Sequence, residues 1–168
     1  GWRPMSFSNA VDALAAYVAS LNTFPSSPLR ASGGGLTTAG SAGRTVFIAR
    51  NCASCHGGTA FTNSASSNPQ DIGTITPASG NRLGGPLTGI DIPTLRDVWA
   101  TAPYLHNGSA ATIENAIQAH AGFTATGTEL SNLAAYVAQI GNQETTAPAA
   151  STSNTGTGLA GQYFNNIT

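Results

Sequence analysis

Cys52-Ala53-Ser54-Cys55-His56 constrains this chain more than any other stretch. Two thiols three residues apart, with a histidine directly after the second, form the attachment signature of c-type haem. Each thiol can add across a haem vinyl to make a thioether, and His56 then stands ready to give the iron its proximal nitrogen. The competing uses of such a motif fit less well. A redox Cys-x-x-Cys wants a strand-to-helix setting, and zinc wants further sulfur or nitrogen ligands. These are the only two cysteines, and besides His56 only His106 and His120 remain. The motif therefore predicts one covalently bound haem c, with no disulfide once both thiols are used. In bacteria such attachment takes place on the far side of the inner membrane, which points to a periplasmic or extracellular protein.

Charge narrows the range of partners. Only 8% of residues are charged, the formal net charge is -1, and all six basic residues are arginines. That leaves no basic patch for nucleic acid or an anionic membrane surface, and no apolar run is long enough for a membrane span. The chain starts at Gly1-Trp2-Arg3-Pro4 without a charged segment leading into an apolar one, and it stops inside a run that reads as a strand. The expectation is a fragment of a longer polypeptide.

One internal repeat carries weight. Leu14-Ala15-Ala16-Tyr17-Val18-Ala19 recurs letter for letter as Leu133-Ala134-Ala135-Tyr136-Val137-Ala138. In each copy a leucine, a tyrosine and small residues recur at helical spacing after a polar start, Ser8 or Asn9 in the first and Thr128 with Glu129 in the second. Gly141 closes the second helix. The run resembles the C-terminal helix of the cytochrome c fold, which packs across the N-terminal helix leading into the haem motif. Two copies suggest two domains, so residues 1–30 read as the C-terminal helix of a preceding cytochrome-like domain. Met5 has two readings, a remnant distal ligand of that domain or a methionine that packs the helix, and within this chain packing is favoured.

Residues 31–40, rich in glycine, read as a connector. The haem domain is expected over 41–142, with Val46, Phe47 and Ile48 on a helix from Gly43 to Asn51 that delivers Cys52. The class predicted is all-α, a cytochrome c-like haem domain with long irregular loops. Gly57 to Gly89 reads as one such loop, long enough to wrap the haem edge or meet a partner. Residues 143–158 lack apolar periodicity and read as a linker, about 20 Å long as a random coil. Residues 159–168 resemble the first strand of a protective-antigen-type β-sandwich, which would imply carbohydrate binding. An ordinary strand of another β-domain is the alternative.

Ile92-Pro93-Thr94-Leu95-Arg96-Asp97-Val98, followed by Thr101-Ala102-Pro103-Tyr104-Leu105-His106-Asn107-Gly108-Ser109, is the second strong signal. With the haem motif it resembles the C-terminal haem domain of the bacterial di-haem cytochrome c peroxidase superfamily, including its rubber-oxygenase-like members. The resemblance covers residues 41–141. In that superfamily a short helix follows, and near its end lies the distal ligand, often methionine; the matching residue here is His120. Helical spacing supports the same choice, because Ile113, Ile117 and His120 stand at i, i+4 and i+7 on one apolar face. The metal ligands expected are thus His56 and His120.

Four more residues are expected around the cofactor. By the resemblance His106 lies near the haem and not on the iron, bonding a propionate or nearby backbone. Its Asn-Gly-Ser neighbours make a turn, a poor platform for an axial ligand. Arg96 is the first candidate to pair with a propionate and Arg82 the second, each with a solvated surface arginine as the alternative. Pro86 is expected to offer its carbonyl to the His56 Nδ1 proton, as the corresponding proline does in many small cytochromes.

Histidine on both axial positions leaves no site for peroxide or oxygen, so the leading expectation is an electron-transfer domain. The alternatives are the electron-relay haem of a di-haem peroxidase or oxygenase, and a gas-binding sensor whose distal histidine departs. The expected partner is a redox protein. The C-terminal strand suggests by analogy a secreted copper oxygenase acting on polysaccharide.

Overall fold

The computed structural model describes residues 7–149 except Ser67 and Thr126, with Phe7 and Ser8 as backbone alone. Met5, most of the expected linker and the expected strand at 159–168 lie outside the described residues. Among the described residues four α-helices carry the fold: α1 (Phe7–Ser20), α2 (Thr38–Ala49), α3 (Ile113–Gln118) and α4 (Gly127–Val137). The sole strand pairing among the described residues is a hairpin of Asn81–Arg82 with Gly85–Pro86. The class is all-α, as the sequence predicts.

α2 and α4 cross at the heart of the molecule, and the sequence of α2 explains how closely. Gly40 and Gly43 face α4. A Cβ on Gly43 would lie 1.8 Å from the Asn132 carbonyl oxygen, and one on Gly40 would lie 2.8 Å from the Gln139 amide. One turn beyond Gly43, Phe47 meets Tyr136 edge to face, with ring centroids 5.4 Å apart and an interplanar angle of 70°. Such a pair adds roughly 0.5–1.5 kcal/mol beyond the area it buries. Leu133, Tyr136 and Val137 from α4, with Ile140 just beyond it, close the core with Phe47, Phe61 and Ala147.

Polar bonds lock the crossing. The Thr37 hydroxyl caps α2 by accepting the Gly40 N–H at 3.0 Å. The buried Gln139 accepts the Thr37 N–H at 2.9 Å and donates to the Thr37 hydroxyl and the Ala135 carbonyl. At the far end Arg50 forks onto both oxygens of Glu129, at 2.8 and 2.9 Å, joining the end of α2 to the first turn of α4.

The structure moves three expected boundaries. α2 begins at Thr38, earlier than the Gly43 start read from its apolar residues, because a run of glycine and small residues facing α4 shows no apolar period. Residues 24–30, assigned with the first helix, lie on the haem domain. Buried Ser27 donates to the Ala138 carbonyl at 2.7 Å, and Arg30 donates to the Gln139 carbonyl and to Glu144 at 2.9 and 2.8 Å. Residues 143–149, expected as linker, also pack: Tyr136 donates to Glu144, and Ala147 is buried with its N–H on the Gly58 carbonyl. α1 itself stays exposed from Asn9 through Ser20.

The 57–89 stretch is a long loop, as expected, organised by local bonds. Gln70 and Ile90 pair as an antiparallel bridge at its base. The Asp71 carboxylate accepts the N–H groups of Gly73, Thr74 and Ile75, which holds it below the usual carboxylate range. The hairpin turns at Leu83 and Gly84, both with positive φ (52° and 82°), the pattern of a tight type I′ turn.

Candidate haem site

The haem motif follows directly from α2. Arg50 ends the helix, Asn51 breaks it with a left-handed φ of 54°, and a single tight turn over Cys52–Ser54 begins. The N–H groups of Cys55 and His56 both reach the Cys52 carbonyl, at 3.2 and 2.9 Å. Cys52, Cys55 and His56 therefore stand at i, i+3 and i+4 on one face of a helical turn. Gly57 lets the chain leave at once, since a Cβ there would sit 2.6 Å from the Ala53 carbonyl.

His120 comes from the opposite wall. Thr112 caps α3 by accepting the Asn115 N–H, and Ile113 and Ile117 pack against the core. α3 stops at Gln118, short of the expected His120, but the turn continues through the bond from the His120 N–H to the Ile117 carbonyl. His120 Nδ1 is 3.0 Å from the Ala116 carbonyl. That contact makes Nδ1 the protonated nitrogen and leaves the Nε2 lone pair free to ligate. The His56 and His120 ring centroids are 6.5 Å apart, with the planes inclined at 59°. That spacing would leave room for a metal ion between the rings, each of whose nitrogens would bind a first-row metal at about 2.0 Å.

Electrostatics suit ligation. Burial, and then the neighbouring His120, push His56 down to about 4, so its imidazole is neutral near neutral pH and offers a lone pair. Burial raises the Cys52 thiol above its ordinary value, the opposite of the lowered pKa a redox dithiol needs. Buried polar atoms normally find partners. Among the described residues three lack one, His56 Nδ1, Asp97 Oδ1 and Trp99 Nε1; the first two fall in the two motifs singled out in the sequence, and Trp99 directly follows Val98 of the second. Two thiols and an imidazole on one face of a turn, a second imidazole beside them and an unpartnered ring nitrogen on His56 are a donor set that fits haem c.

Arg96, Arg82, His106 and Pro86 have their own surroundings. The guanidinium of buried Arg96 lies between the rings of Phe24 and Phe61, at 5.3 and 5.1 Å, and donates to the carbonyls of Thr59, Gly141, Glu144 and Thr145. It ties three chain segments together through backbone carbonyls. Arg82 lies exposed on the hairpin and forms no ion pair with any described residue. His106 is exposed, its Nε2 3.2 Å from the Ser79 hydroxyl and its Nδ1 3.5 Å from that of Thr74, so it pins the long loop.

Pro86 lies on the exposed hairpin. It sits at the solvent side of the hairpin opposite Asn81 because the tight turn folds the hairpin on itself. The backbone groups that approach the His56 ring and favour its charged form are those of Pro93 and Phe61, neither aligned for a full hydrogen bond. Thr62 holds the Pro93 segment by donating to the Ile92 carbonyl. The proline in Ile92-Pro93-Thr94 was the available signal; which proline meets the histidine depends on the loop path.

The family model described as RoxA-like, cytochrome c-like, matches residues 86–123. The cytochrome c peroxidase of Escherichia coli strain K12 is 33% identical over 131 residues, which is 68% of this chain and 28% of that protein. A hydrazine synthase of Kuenenia stuttgartiensis, solved under xenon pressure, superposes with a TM-score of 0.59 at 27% identity, over 77% of this chain and 55% of that one. The chain thus spans little more than a quarter of the peroxidase it matches. The fold is cytochrome c-like, and the similarity supports a haem electron-transfer domain.

Proposed function

We propose that Cys52 and Cys55 hold one haem c covalently, that His56 and His120 are its two axial ligands, and that the domain carries electrons. The observation that carries this reading is the facing pair of imidazoles, 6.5 Å apart between centroids. Haem bound there supplies a one-electron couple whose potential is set by its ligands and surroundings. The protein's share is to hold both imidazoles. His56 is fixed by the turn after α2, and His120 by the Ala116 carbonyl behind it. If both imidazoles held the iron, no position would be left for peroxide, which favours a carrier over a catalyst. Histidine in place of methionine keeps the potential comparatively low, suited to passing electrons onward to a redox protein in the periplasm or outside the cell. A secreted copper oxygenase acting on polysaccharide is one such acceptor.

The test is spectroscopic. The wild-type ferric protein should be low-spin and lack the long-wavelength methionine band. His120→Ala should become high-spin and bind cyanide or carbon monoxide readily. The assignment fails if His106→Ala produces that change and His120→Ala does not. Haem should remain with the polypeptide through denaturation and acid–acetone extraction; its release would end the covalent reading.

The second reading, an electron-relay domain within a di-haem peroxidase or oxygenase, draws on the similarity to the bacterial peroxidase. It keeps the same ligands and differs in what the rest of the polypeptide does with the electron.

A further inference from the structure

Asn107 alone among the asparagines of the chain is followed by glycine. With no Cβ beside it, a glycine nitrogen is the backbone nitrogen least hindered from approaching the preceding side chain. Asn68 precedes proline, which has no N–H to lose, and every other asparagine precedes a residue that carries a side chain.

The fold adds to this contrast. Asn107 is exposed on a tight turn, and its Oδ1 accepts the Ser109 N–H at 3.1 Å. That bond folds the amide back over the Gly108 peptide, as in an Asx-turn. It also puts a donor on the oxygen that gathers negative charge when a nucleophile adds to the side-chain carbon. Gly108 has a φ of 68° and Leu105 a φ of 69°, a conformation that strains a leucine. The strain is held in place from two sides. Tyr104 and Ala110 pair across the turn through N–H···O bonds of 2.8 and 3.3 Å, and the His106 ring nitrogens lie 3.2 Å from the Ser79 hydroxyl and 3.5 Å from that of Thr74. One contact opposes attack by the Gly108 nitrogen. Its N–H donates to the Leu105 carbonyl at 3.2 Å, the long end of the range for such bonds.

We propose that Asn107 is a site of self-modification in the folded chain. The Gly108 nitrogen loses its proton to hydroxide and bonds to Asn107 Cγ. The Cγ–Nδ2 bond then breaks, and the amide nitrogen leaves as ammonia, closing a cyclic imide. Water opens the imide at either carbonyl. Opening at Cγ leaves aspartate, and opening at the backbone carbonyl leaves isoaspartate, with the chain running through the side-chain carbon. The sum is amide plus water to carboxylate plus ammonium, with nothing oxidised or reduced. Each event adds one negative charge to a chain of formal net charge -1. Isoaspartate also lengthens the backbone of the turn that Tyr104 and Ala110 close, just before the Thr112 cap of α3. The reaction uses no residue of the candidate haem site, so it stands or falls separately from the haem assignment.

The test incubates the haem-loaded chain in mildly alkaline buffer until a synthetic peptide of residues 104–110 in the same buffer has converted. Both are then digested at acid pH and read by mass spectrometry, with protein isoaspartyl methyltransferase as the probe for isoaspartate. Aspartate and isoaspartate should both accumulate at position 107, faster as pH rises, and about tenfold or more ahead of any other asparagine. Asn107→Gln should stay unmodified. Gly108→Ala should slow the reaction about tenfold or more, because the methyl shields the nitrogen. A Cβ there would meet only Pro103, at 3.4 and 3.9 Å, and an unchanged far-ultraviolet circular dichroism spectrum would exclude misfolding. Three results overturn the proposal. They are an intact Asn107 in the folded chain after the peptide has converted, aspartate without isoaspartate, which would mean direct hydrolysis, and an equal rate in the Gly108→Ala chain.

Discussion

The guanidinium of Arg96 holds the carbonyls of Thr59, Gly141, Glu144 and Thr145 at once, and its removal would leave several buried acceptors without a donor. Breaking a buried charged network of this kind costs about 3–5 kcal/mol. Arg96→Met should therefore lower the melting temperature sharply. Arg96→Lys should recover little, because an ammonium cannot reproduce the fork. His106→Ala breaks two exposed contacts and should change stability by no more than about 1 kcal/mol, with an unchanged ferric spectrum. Both residues look alike in the sequence, polar groups in one motif near a cofactor. Which of them is bound to backbone is set by loops brought together only on folding. Tyr136 gives a pH signature. Burial, and then Glu144, raise its phenol above the ordinary value, so its contribution to stability is complete below the unfolded pKa of about 10 and declines as pH rises past it. Tyr136→Phe should flatten the alkaline fall in thermal stability; Tyr104, raised by burial, retains a smaller part.

Twin hexapeptides make the element scale directly measurable. Leu133→Ala removes a side chain sealed in the α2 and α4 crossing and should cost about 2–5 kcal/mol, while Leu14→Ala, on the bare face of α1, should stay within about 0.5 kcal/mol. Paired denaturant titrations with unchanged slopes would check this. Gly43→Ala is a harsher test of the crossing, since its methyl would meet the Asn132 carbonyl at 1.8 Å and force the helices apart. Loss of 3 kcal/mol or more is expected from overpacking against backbone, roughly the upper end for such changes. Helical periodicity made α1, α3 and α4 legible in advance. It missed the first turn of α2, whose buried face is glycine, and the packing of residues 24–30 and 143–149. Those segments are held by Ser27, Arg30 and Glu144 through backbone and ion-pair contacts that leave no period in the sequence.

At the scale of the whole molecule, the site was legible where chemistry fixes spacing and obscure where loops choose partners. Cys52, Cys55 and His56 follow from one motif, and the His120 face from one helix. The backbone of Pro93 approaches the His56 ring while Pro86 lies on the exposed hairpin, because the chain path, and not residue type, decides which proline comes near. No helix among the described residues is long and apolar enough to cross a membrane, and the hairpin tip presents Leu83 fully to solvent. The consequence for activity depends on what the two imidazoles exclude. Peroxide reduction needs a vacant position on the iron, and on the proposed reading His120, held by the Ala116 carbonyl and by α3 packed on the core, would fill it. Electron exchange needs only a cofactor edge near the surface. The haem-loaded chain should therefore reduce and oxidise small mediators rapidly while consuming peroxide negligibly in steady state. His120→Ala should reverse the balance by opening one position, and added imidazole should then suppress the gained turnover. Wild-type turnover at the level of a dedicated peroxidase, unaffected by imidazole, would mean that His120 does not occupy that position and that the domain is itself catalytic.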